Sequence, residues 1–223
     1  MAGRGDNAVP QREGHQLGRR VPRSGNGALP GRIKAGEVSN EIFSGLDWFP
    51  TLLAAAGDTT IKDRLLNGAP LGGTTFKVHL DGYNQLPYLT GQQTKGQRNE
   101  FAYFDDDGQL VGFRHGNWKA VFCEQKKPGG FPVWYEPLTC YRIPKLFNLR
   151  MDPYERADVV SNQYDDWRVT NAYMMGWMTF HAAAFLETFV SYPPSQEPAS
   201  FTIDQIARDV ERRIKEDAAK QSK

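Results

Sequence analysis

Residues 101–124, FAYFDDDGQLVGFRHGNWKAVFCE, give the clearest indication of the fold, because short apolar runs alternate there with turn residues. The tract Asp105–Gly108 separates the first run from the second, and His115-Gly116 separates the second from the third. Aromatic and β-branched runs on either side of turn residues are typical of β-hairpins. The stretch therefore predicts consecutive antiparallel strands over Phe101–Phe104, Gln109–Arg114 and Asn117–Glu124.

Downstream of this stretch, two more runs and two helical segments complete the predicted fold. Further strands are predicted at Phe131–Glu136 and Lys145–Leu149. Tyr164–Phe189 is rich in aromatic residues and methionine, which favours a helix buried against the sheet until Pro193-Pro194 ends it. Ile203–Ala219 predicts a charged amphipathic helix. The predicted fold class is α+β, a small antiparallel sheet of about four strands packed with helices.

Upstream, Glu41–Ala56 has apolar residues at helical spacing, and one face of the predicted helix carries Leu46, Phe49, Leu53 and Ala56. Asp47 is interpreted as a helix-start residue rather than as a catalytic group, since aspartate favours helix N-termini. A second, short helix is predicted at Ile61–Leu66.

The composition of the 223-residue chain is that of a globular protein. Hydrophobic residues make up 39 %, charged residues 24 %, and the formal net charge is +1. No apolar stretch approaches the roughly 20 residues that span a bilayer, and no apolar segment follows the first basic residues as in a secretory signal. We therefore expect no membrane partner and no signal peptide.

Two cysteines, Cys123 and Cys140, are too few for a disulfide framework or a cysteine-based metal cluster. Each lies in or beside a predicted strand. Since an unpaired cysteine packs like a small hydrophobic residue, we predict that both are free thiols.

Residues 1–30 form a basic, glycine-rich head without apolar periodicity, which predicts disorder. Its arginines raise the alternative of a nucleic-acid-binding arm. The head lacks the interleaved aromatic side chains that stack on bases. We therefore expect no nucleic-acid partner.

Four stretches of the chain carry further motifs. Residues 30–57 contain D-x-x-P-T-L-L, residues 77–91 read KVHLDGYNQLPYLTG, residues 99–122 contain R-x-x-x-W-K, and residues 145–159 contain L-x-N-L-x-x-D-P-x-E. In this order they resemble the C-terminal third of the type I, formylglycine-dependent arylsulfatases. The resemblance implies the C-terminal subdomain of an alkaline-phosphatase-like sulfatase fold. Residues 31–100 would end the α/β domain, and residues 101–223 would form the C-terminal antiparallel sheet and closing helices.

The resemblance also implies a parent enzyme, a sulfuric ester hydrolase that uses calcium and a formylglycine made from C-x-P-x-R or S-x-P-x-R. A metal and several cations would stabilise the charge of its transition state. In this chain neither Cys123 nor Cys140 is followed by x-P-x-R. We therefore predict no catalytic residue, no metal and no cofactor in the chain, and expect it to be inactive alone.

Two interpretations of the chain remain open on this resemblance. The first is a C-terminal fragment of an arylsulfatase whose parent is cytoplasmic or periplasmic. The alternative is a protein-interaction module that docks on a separate sulfatase core. In both, the expected partner is a sulfatase N-terminal catalytic domain.

The head between Glu13 and Leu29 has no likeness to K-A-T-N-W-E-G-G-Y-R-V-P-A-M-A-R-W-P-G, the segment typical of sulfatases at this place. A one-base shift of the reading frame, with suitable codons, converts it into a similar peptide that rejoins the chain at Pro30-Gly31. We therefore hypothesise a frameshift in the head. Codons that cannot encode the shifted peptide would rule this out.

His79 and Asp81 are the candidates for the rim of a substrate cleft, because their loop combines histidine, aspartate, tyrosine and asparagine. The alternative is that the pair only forms hydrogen bonds within its own turn. Arg114 and Lys119 are candidates either to meet a sulfate or to lie at an exposed sheet edge.

The remaining polar residues predict no metal site. Asp105–Asp107 is interpreted as a solvated hairpin turn rather than as a cation site. His115 fits a turn and His181 a helix face, and neither has a metal-ligand partner at a useful spacing along the sequence.

Overall fold

The computed structural model describes residues 27, 29–127, 130–193, 206–207, 210–214 and 217. The strands along these residues are β1 (Ala69–Leu71), β2 (Thr74–Phe76), β3 (Glu100–Phe104), β4 (Leu110–His115), β5 (Trp118–Glu124) and β6 (Thr139–Asn148). The α-helices are α1 (Trp48–Ala55), α2 (Ile61–Asn67), α3 (Leu86–Leu89), α4 (Ala157–Val160), α5 (Tyr164–Thr170) and α6 (Tyr173–Ser191). Short 3-10 helices occupy Gly45–Asp47 and Phe131–Trp134.

The main sheet is a four-stranded antiparallel meander in the order β3-β4-β5-β6. Its first hairpin turns where the Asp105 carboxylate accepts the backbone N–H groups of Asp107 (3.1 Å) and Gln109 (2.7 Å). Gly108 has a φ of 78°, a left-handed conformation that glycine adopts without steric cost. The predicted α+β class, the four strands and the acidic hairpin turn are confirmed.

The two faces of this sheet are covered by two different helices. Alternate residues of a strand point to opposite faces, so that Ala120 packs against Met178 of α6 while Val121 packs towards Tyr164 of α5. The prediction of one helix over Tyr164–Phe189 is therefore wrong. The chain breaks the helix at 171–172, because the two halves have to cover opposite faces of the sheet.

The predicted strand at Phe131–Glu136 is also wrong, since Phe131–Trp134 is a 3-10 helix and the last strand, β6, begins at Thr139. Pro132 has no N–H to donate to a sheet. The side-chain amide of Gln125 donates to the carbonyl of Glu136 at 3.0 Å, which holds the segment against the end of β5.

A disulfide joins Cys123 to Cys140, so the prediction of two free thiols is wrong. The two residues are partners in the register of β5 and β6, with their Cα atoms 4.0 Å apart. This pairing was not predicted from the sequence, because the predicted strand Lys145–Leu149 lacks the upstream part of β6 that contains Cys140. The amide of Gln109 lies against both sulfur atoms, at 3.2 and 3.3 Å.

Two buried ion pairs tie the sequence motifs to the sheet. Lys119 of the R-x-x-x-W-K motif binds both carboxylate oxygens of Glu155, at 2.7 and 2.8 Å, and is fully buried on a central strand. It is thus not at an exposed sheet edge, which was one of the two positions predicted for it. Glu155, from the D-P-x-E motif, has a φ of 51°, and the ion pair offsets the cost of this unusual backbone conformation.

The second ion-pair network is centred on the buried carboxylate of Glu124 at the end of β5. Lys145 donates to both of its oxygens, at 3.0 and 2.8 Å, and also to Asp158 at 2.6 Å. Lys126 and Tyr141 donate to the same carboxylate. The network fastens α4 to the β5-β6 hairpin.

Upstream of the sheet, the described residues leave most of the apolar face of α1 uncovered. It buries Pro50, Thr51 and Ala54 against the rest of the chain, whereas Leu46 and Phe49 of the predicted apolar face are exposed. A small second core lies beside it, where α2 packs on the β1-β2 hairpin through Ile61, Leu65 and Ala69.

The ends of the chain are described only in part. Residues 206–207 and 210–214 are helical, in agreement with the helix predicted at Ile203–Ala219. The disorder and the frameshift predicted for the head fall on residues 1–26 and 28, outside the described residues. Within the described part of the chain, no helix has both the length and the apolarity to cross a bilayer.

Candidate functional site

The site is built around the buried pair of Asp47 and Arg98. Asp47 precedes α1, and its carboxylate receives Arg98 Nε at 2.8 Å and Nη2 at 2.6 Å. It also accepts the backbone N–H groups of Ser44 (2.9 Å) and Tyr83 (2.8 Å). Burial alone would raise the pKa of Asp47, but these hydrogen bonds outweigh it and lower the pKa below the ordinary value. Asp47 stands at the start of α1 as predicted, but its carboxylate makes no capping hydrogen bond to α1 and instead binds Ser44 nearby and Tyr83 and Arg98 far along the sequence.

Arg98, the cation of this ion pair, also lines the floor of a cleft. Its guanidinium also donates to the carbonyl oxygens of Asp81 (2.7 Å) and Glu100 (3.0 Å). The cleft has a volume of about 340 Å³ and lies between the loop at 79–83, β3 and α6. Its polar lining consists of Lys62, His79, Asp81, Tyr83, Arg98, Glu100, His181 and Thr188.

His79 and Asp81, the predicted rim residues, both line this cleft. His79 Nδ1 lies 3.0 Å from Asp81 Oδ1, so the local hydrogen bond of the alternative interpretation is present as well. Gly82 allows the loop to approach the 3-10 helix Gly45–Asp47, because a Cβ at this position would lie 2.2 Å from the carbonyl oxygen of Leu46. His79 and Asp81 therefore lie on a closely packed loop, and their side chains face the cleft.

A lysine supplies positive charge on the same side of the cleft. Lys62 Nζ donates to the carbonyl of Gly82 at 3.2 Å and lies 4.3 Å from the centre of the Tyr83 ring. Burial lowers the pKa of Lys62, and the charge of Asp81 partly offsets this. Burial also raises the pKa of Tyr83, with a contribution from Glu100. Tyr83 therefore keeps its proton and can donate a hydrogen bond.

The opposite wall holds a cluster that the sequence did not reveal. Glu100, His115 and His181 each offer one ligand atom, and these atoms all lie within 4.8 Å of one another. Neither histidine has a metal-ligand partner at a useful spacing along the sequence, and the three residues come together only in the folded chain. Glu100 and His115 lie opposite each other in the register of β3 and β4. His181 belongs to α6, which packs on the sheet.

The imidazoles of the cluster are packed together with a tryptophan. The rings of His115 and His181 lie 4.6 Å apart, and Trp177 lies 4.3 Å from the first and 4.2 Å from the second. Burial lowers the pKa of His115, and the neighbouring His181 adds to this effect. His115 is therefore neutral near pH 7. Arg114, by contrast, donates to the carbonyl of Gly116 at 3.0 Å and does not line the cleft.

Comparison with known proteins relates this chain to one group of enzymes. It is 31 % identical to human arylsulfatase A over 140 residues, which are 59 % of this chain and 24 % of that enzyme. It is 32 % identical to bovine arylsulfatase A over 142 residues, 60 % of this chain and 25 % of that enzyme. Over this shared region the chain is distantly homologous to arylsulfatase A.

Further comparisons agree with this arylsulfatase homology. Rat N-acetylgalactosamine-6-sulfatase is 29 % identical over 143 residues, 61 % of this chain and 26 % of that protein. A crystal structure of a sulfatase from Pseudoalteromonas sp. superposes with a TM-score of 0.52 at 23 % identity, over 74 % of this chain and 30 % of that one, which shows a shared fold. A scan against protein-family profiles gives no match.

The chain spans about a quarter of the length of the curated relatives it matches. The comparisons lend no support to the frameshift hypothesis for Glu13–Leu29. Both cysteines of the chain are engaged in the disulfide, and neither stands in the x-P-x-R context of a formylglycine precursor.

Proposed function

We propose that this chain is the part of an arylsulfatase that packs on the catalytic α/β domain and forms one side of the substrate cleft. The observation that carries the proposal is an apolar strip beside the cleft. Leu46, Phe49 and Leu52 are 51 %, 51 % and 60 % exposed. Leu46 also lines the cleft, so a partner seated on the strip would stand at the cleft's edge.

The strip has the spacing of a packing surface. Its three residues recur every third position and thus lie along one side of α1 and its preceding turn. Phe43 and Trp48 lie beside the strip with their rings 4.8 Å apart, and both are partly exposed. Adjacent apolar side chains left uncovered in this way indicate a protein partner. Full burial of such a side chain contributes about 1.5–3 kcal/mol, and since the three residues of the strip are already about half buried, covering each would contribute about half of that.

The occupant that best fits the strip is an arylsulfatase catalytic domain. The matched relatives are about four times as long as the region they share with this chain, so most of such an enzyme lies outside the homologous region. The catalytic domain would lie in the same polypeptide, or the chain would dock on it as a separate module. In both cases the formylglycine and the calcium ion would come from the partner.

The cleft would receive the organic part of a sulfate ester. Arg98 is neutralised by Asp47, so Lys62 is the cation of the cleft lining that would attract an anionic substrate, beside the carboxylates of Asp81 and Glu100. His79 and Asp81 would form hydrogen bonds at the rim, and Tyr83 would donate from the floor. The chain's own role is thus binding and orientation, while the bond to sulfur would be broken in the partner domain.

The test mixes the full chain with an arylsulfatase catalytic domain that lacks the homologous region, and measures binding and hydrolysis of a chromogenic aryl sulfate. We expect no hydrolysis by the chain alone and hydrolysis by the mixture. The variant Leu46→Lys/Phe49→Lys/Leu52→Lys should weaken binding at least about tenfold, the equivalent of about 1.4 kcal/mol. Val159→Lys, at an exposed apolar residue of α4, is the matched control and should bind like the wild type.

Two outcomes would contradict the proposal. One is hydrolysis by the chain alone. The other is equal binding by the wild type and the strip variant. In the bound complex, His79→Ala and Asp81→Asn should raise KM more than they lower kcat, because these residues would orient substrate without taking part in the chemical step.

A further inference from the structure

We propose that Glu100, His115 and His181 form a binding site for a divalent transition-metal ion of the zinc type. The site is separate from the calcium ion implied for the parent arylsulfatase. It also does not depend on the docking of a catalytic domain, because all three ligands belong to this chain.

The distances in the cluster suit a metal after a small adjustment. The ligand atoms lie within 4.8 Å of one another. Zinc binds histidine nitrogen and carboxylate oxygen at about 2.0–2.2 Å, which places tetrahedral ligands about 3.4 Å apart. The widest pair therefore has to close by at most about 1.4 Å. Rotation of the Glu100 side chain and of the two imidazoles would have to supply this closure.

The backbone that carries the ligands is held in place. Glu100 and His115 face each other across β3 and β4, and the N–H of Gly116 donates to the carbonyl of Asn99 at 2.7 Å beside them. His181 lies between Met178 and Ala182, which are buried against Phe113 and Ala120 of the sheet. Ligands on strands and a packed helix are positioned more accurately than ligands on loops.

The ligand atoms are not engaged elsewhere. Among the described residues, no hydrogen bond or ion pair occupies the side chain of Glu100, His115 or His181. All three are half-buried, and Trp177 covers one side of the imidazoles.

The type of ligand selects the type of ion. Two imidazoles with one carboxylate favour zinc and its neighbours in the first transition row, whereas calcium and magnesium favour oxygen ligands alone. Three protein ligands leave a fourth position of a tetrahedral ion for a water molecule or an anionic oxygen. Glu100 and His181 line the cleft, so the ion would stand in the cleft wall with this position accessible from the cleft.

The experiment titrates the tag-free full chain with Zn²⁺ by calorimetry and with Co²⁺ by visible absorption. We expect one ion per chain with a Kd of about 1 µM or below, and Co²⁺ bands of a four-coordinate site. Each of Glu100→Gln, His115→Ala and His181→Ala should weaken binding at least about tenfold. Circular dichroism of each variant separates loss of the site from loss of the fold.

The chain provides its own matched control. It has four histidines, and the other two, His15 and His79, lie outside the cluster. The double variant His15→Ala/His79→Ala should bind Zn²⁺ with unchanged affinity and give the same Co²⁺ spectrum. Loss of binding in the double variant would overturn the proposal. So would wild-type affinity in a folded His115→Ala or His181→Ala variant, or octahedral Co²⁺ bands at millimolar concentration only.

Discussion

Asp47 and Arg98 are the pair of residues on which the N-terminal part of the site depends. Replacing Asp47 with asparagine would leave the Arg98 guanidinium buried without a counter-charge. Breaking a buried ion pair from one side typically costs about 3–5 kcal/mol. We therefore expect Asp47→Asn to lower the free energy of unfolding by about this amount, measured by urea denaturation.

The control for this substitution is an exposed pair. Arg64 binds Asp58 at 2.7 Å, but its side chain is 47 % exposed. Arg64→Gln should change the stability by less than about 1 kcal/mol, because water screens the interaction. Equal losses in the two variants would mean that the burial of Asp47 contributes little.

Glu124 makes the stability of the chain depend on pH. Burial alone would raise its pKa, but hydrogen bonds from Lys126, Lys145 and Tyr141 lower it from 4.5 to about 2. A group whose pKa is depressed in the folded state stabilises above its unfolded pKa and loses this as the pH falls. We expect a loss of roughly 3 kcal/mol between pH 4.5 and pH 2.

Chemical denaturation at several pH values measures this effect. The variant Glu124→Gln should be less stable at neutral pH and should show a flatter dependence between pH 4.5 and 2, since its amide does not titrate there. An unchanged slope in Glu124→Gln would assign the acid sensitivity to other carboxylates.

At the scale of elements, the hairpin of β5 and β6 is cross-linked by Cys123 and Cys140. Closing a loop of this size stabilises a fold by about 3 kcal/mol in the chain-entropy description. We expect Cys123→Ser/Cys140→Ser to lower the unfolding midpoint in urea, and the wild type in a reducing agent to shift towards it. The double variant is its own control, because the reductant should leave it unchanged.

Elements that are specified by neighbouring residues could be predicted from the sequence, whereas elements that depend on tertiary contacts could not. The hairpins at Asp105–Gly108 and at His115-Gly116 are specified by residues within the turns, and both were predictable. The break between α5 and α6 and the start of β6 depend on what each segment covers, which periodicity does not reveal. The Phe131–Trp134 run has the composition of a strand, and only Pro132 argued against one.

The candidate site was predictable to a smaller extent. His79 and Asp81 were found because they lie two residues apart in one polar loop. Arg98 belongs to no motif. Its partner Asp47 lies in a helix motif, where an aspartate is expected at the helix start whether or not it forms a salt bridge. Glu100, His115 and His181 come together only through strand register and helix packing, so no spacing along the chain could reveal them.

At the scale of the whole molecule, the uncovered strip on α1 predicts poor solubility. Exposed apolar side chains also occur on α6, where Phe180 and Val190 are 70 % and 84 % exposed. We expect the isolated chain to self-associate in size-exclusion chromatography with light scattering, and the variant Leu46→Lys/Phe49→Lys/Leu52→Lys to shift towards the monomer. A monodisperse wild-type monomer with a cooperative melt would contradict this prediction.

The hydrogen bonds of Arg98 also indicate which segments of the chain unfold locally at the same time. One guanidinium bonds to the carboxylate before α1, to the backbone of the cleft loop and to the first residue of β3. These segments cannot separate without breaking the same bonds, so they should open as one cooperative unit. In hydrogen exchange, the amide of Tyr83 in the loop would then report on α1. A partner that slows exchange along the helix would slow it in the cleft loop as well.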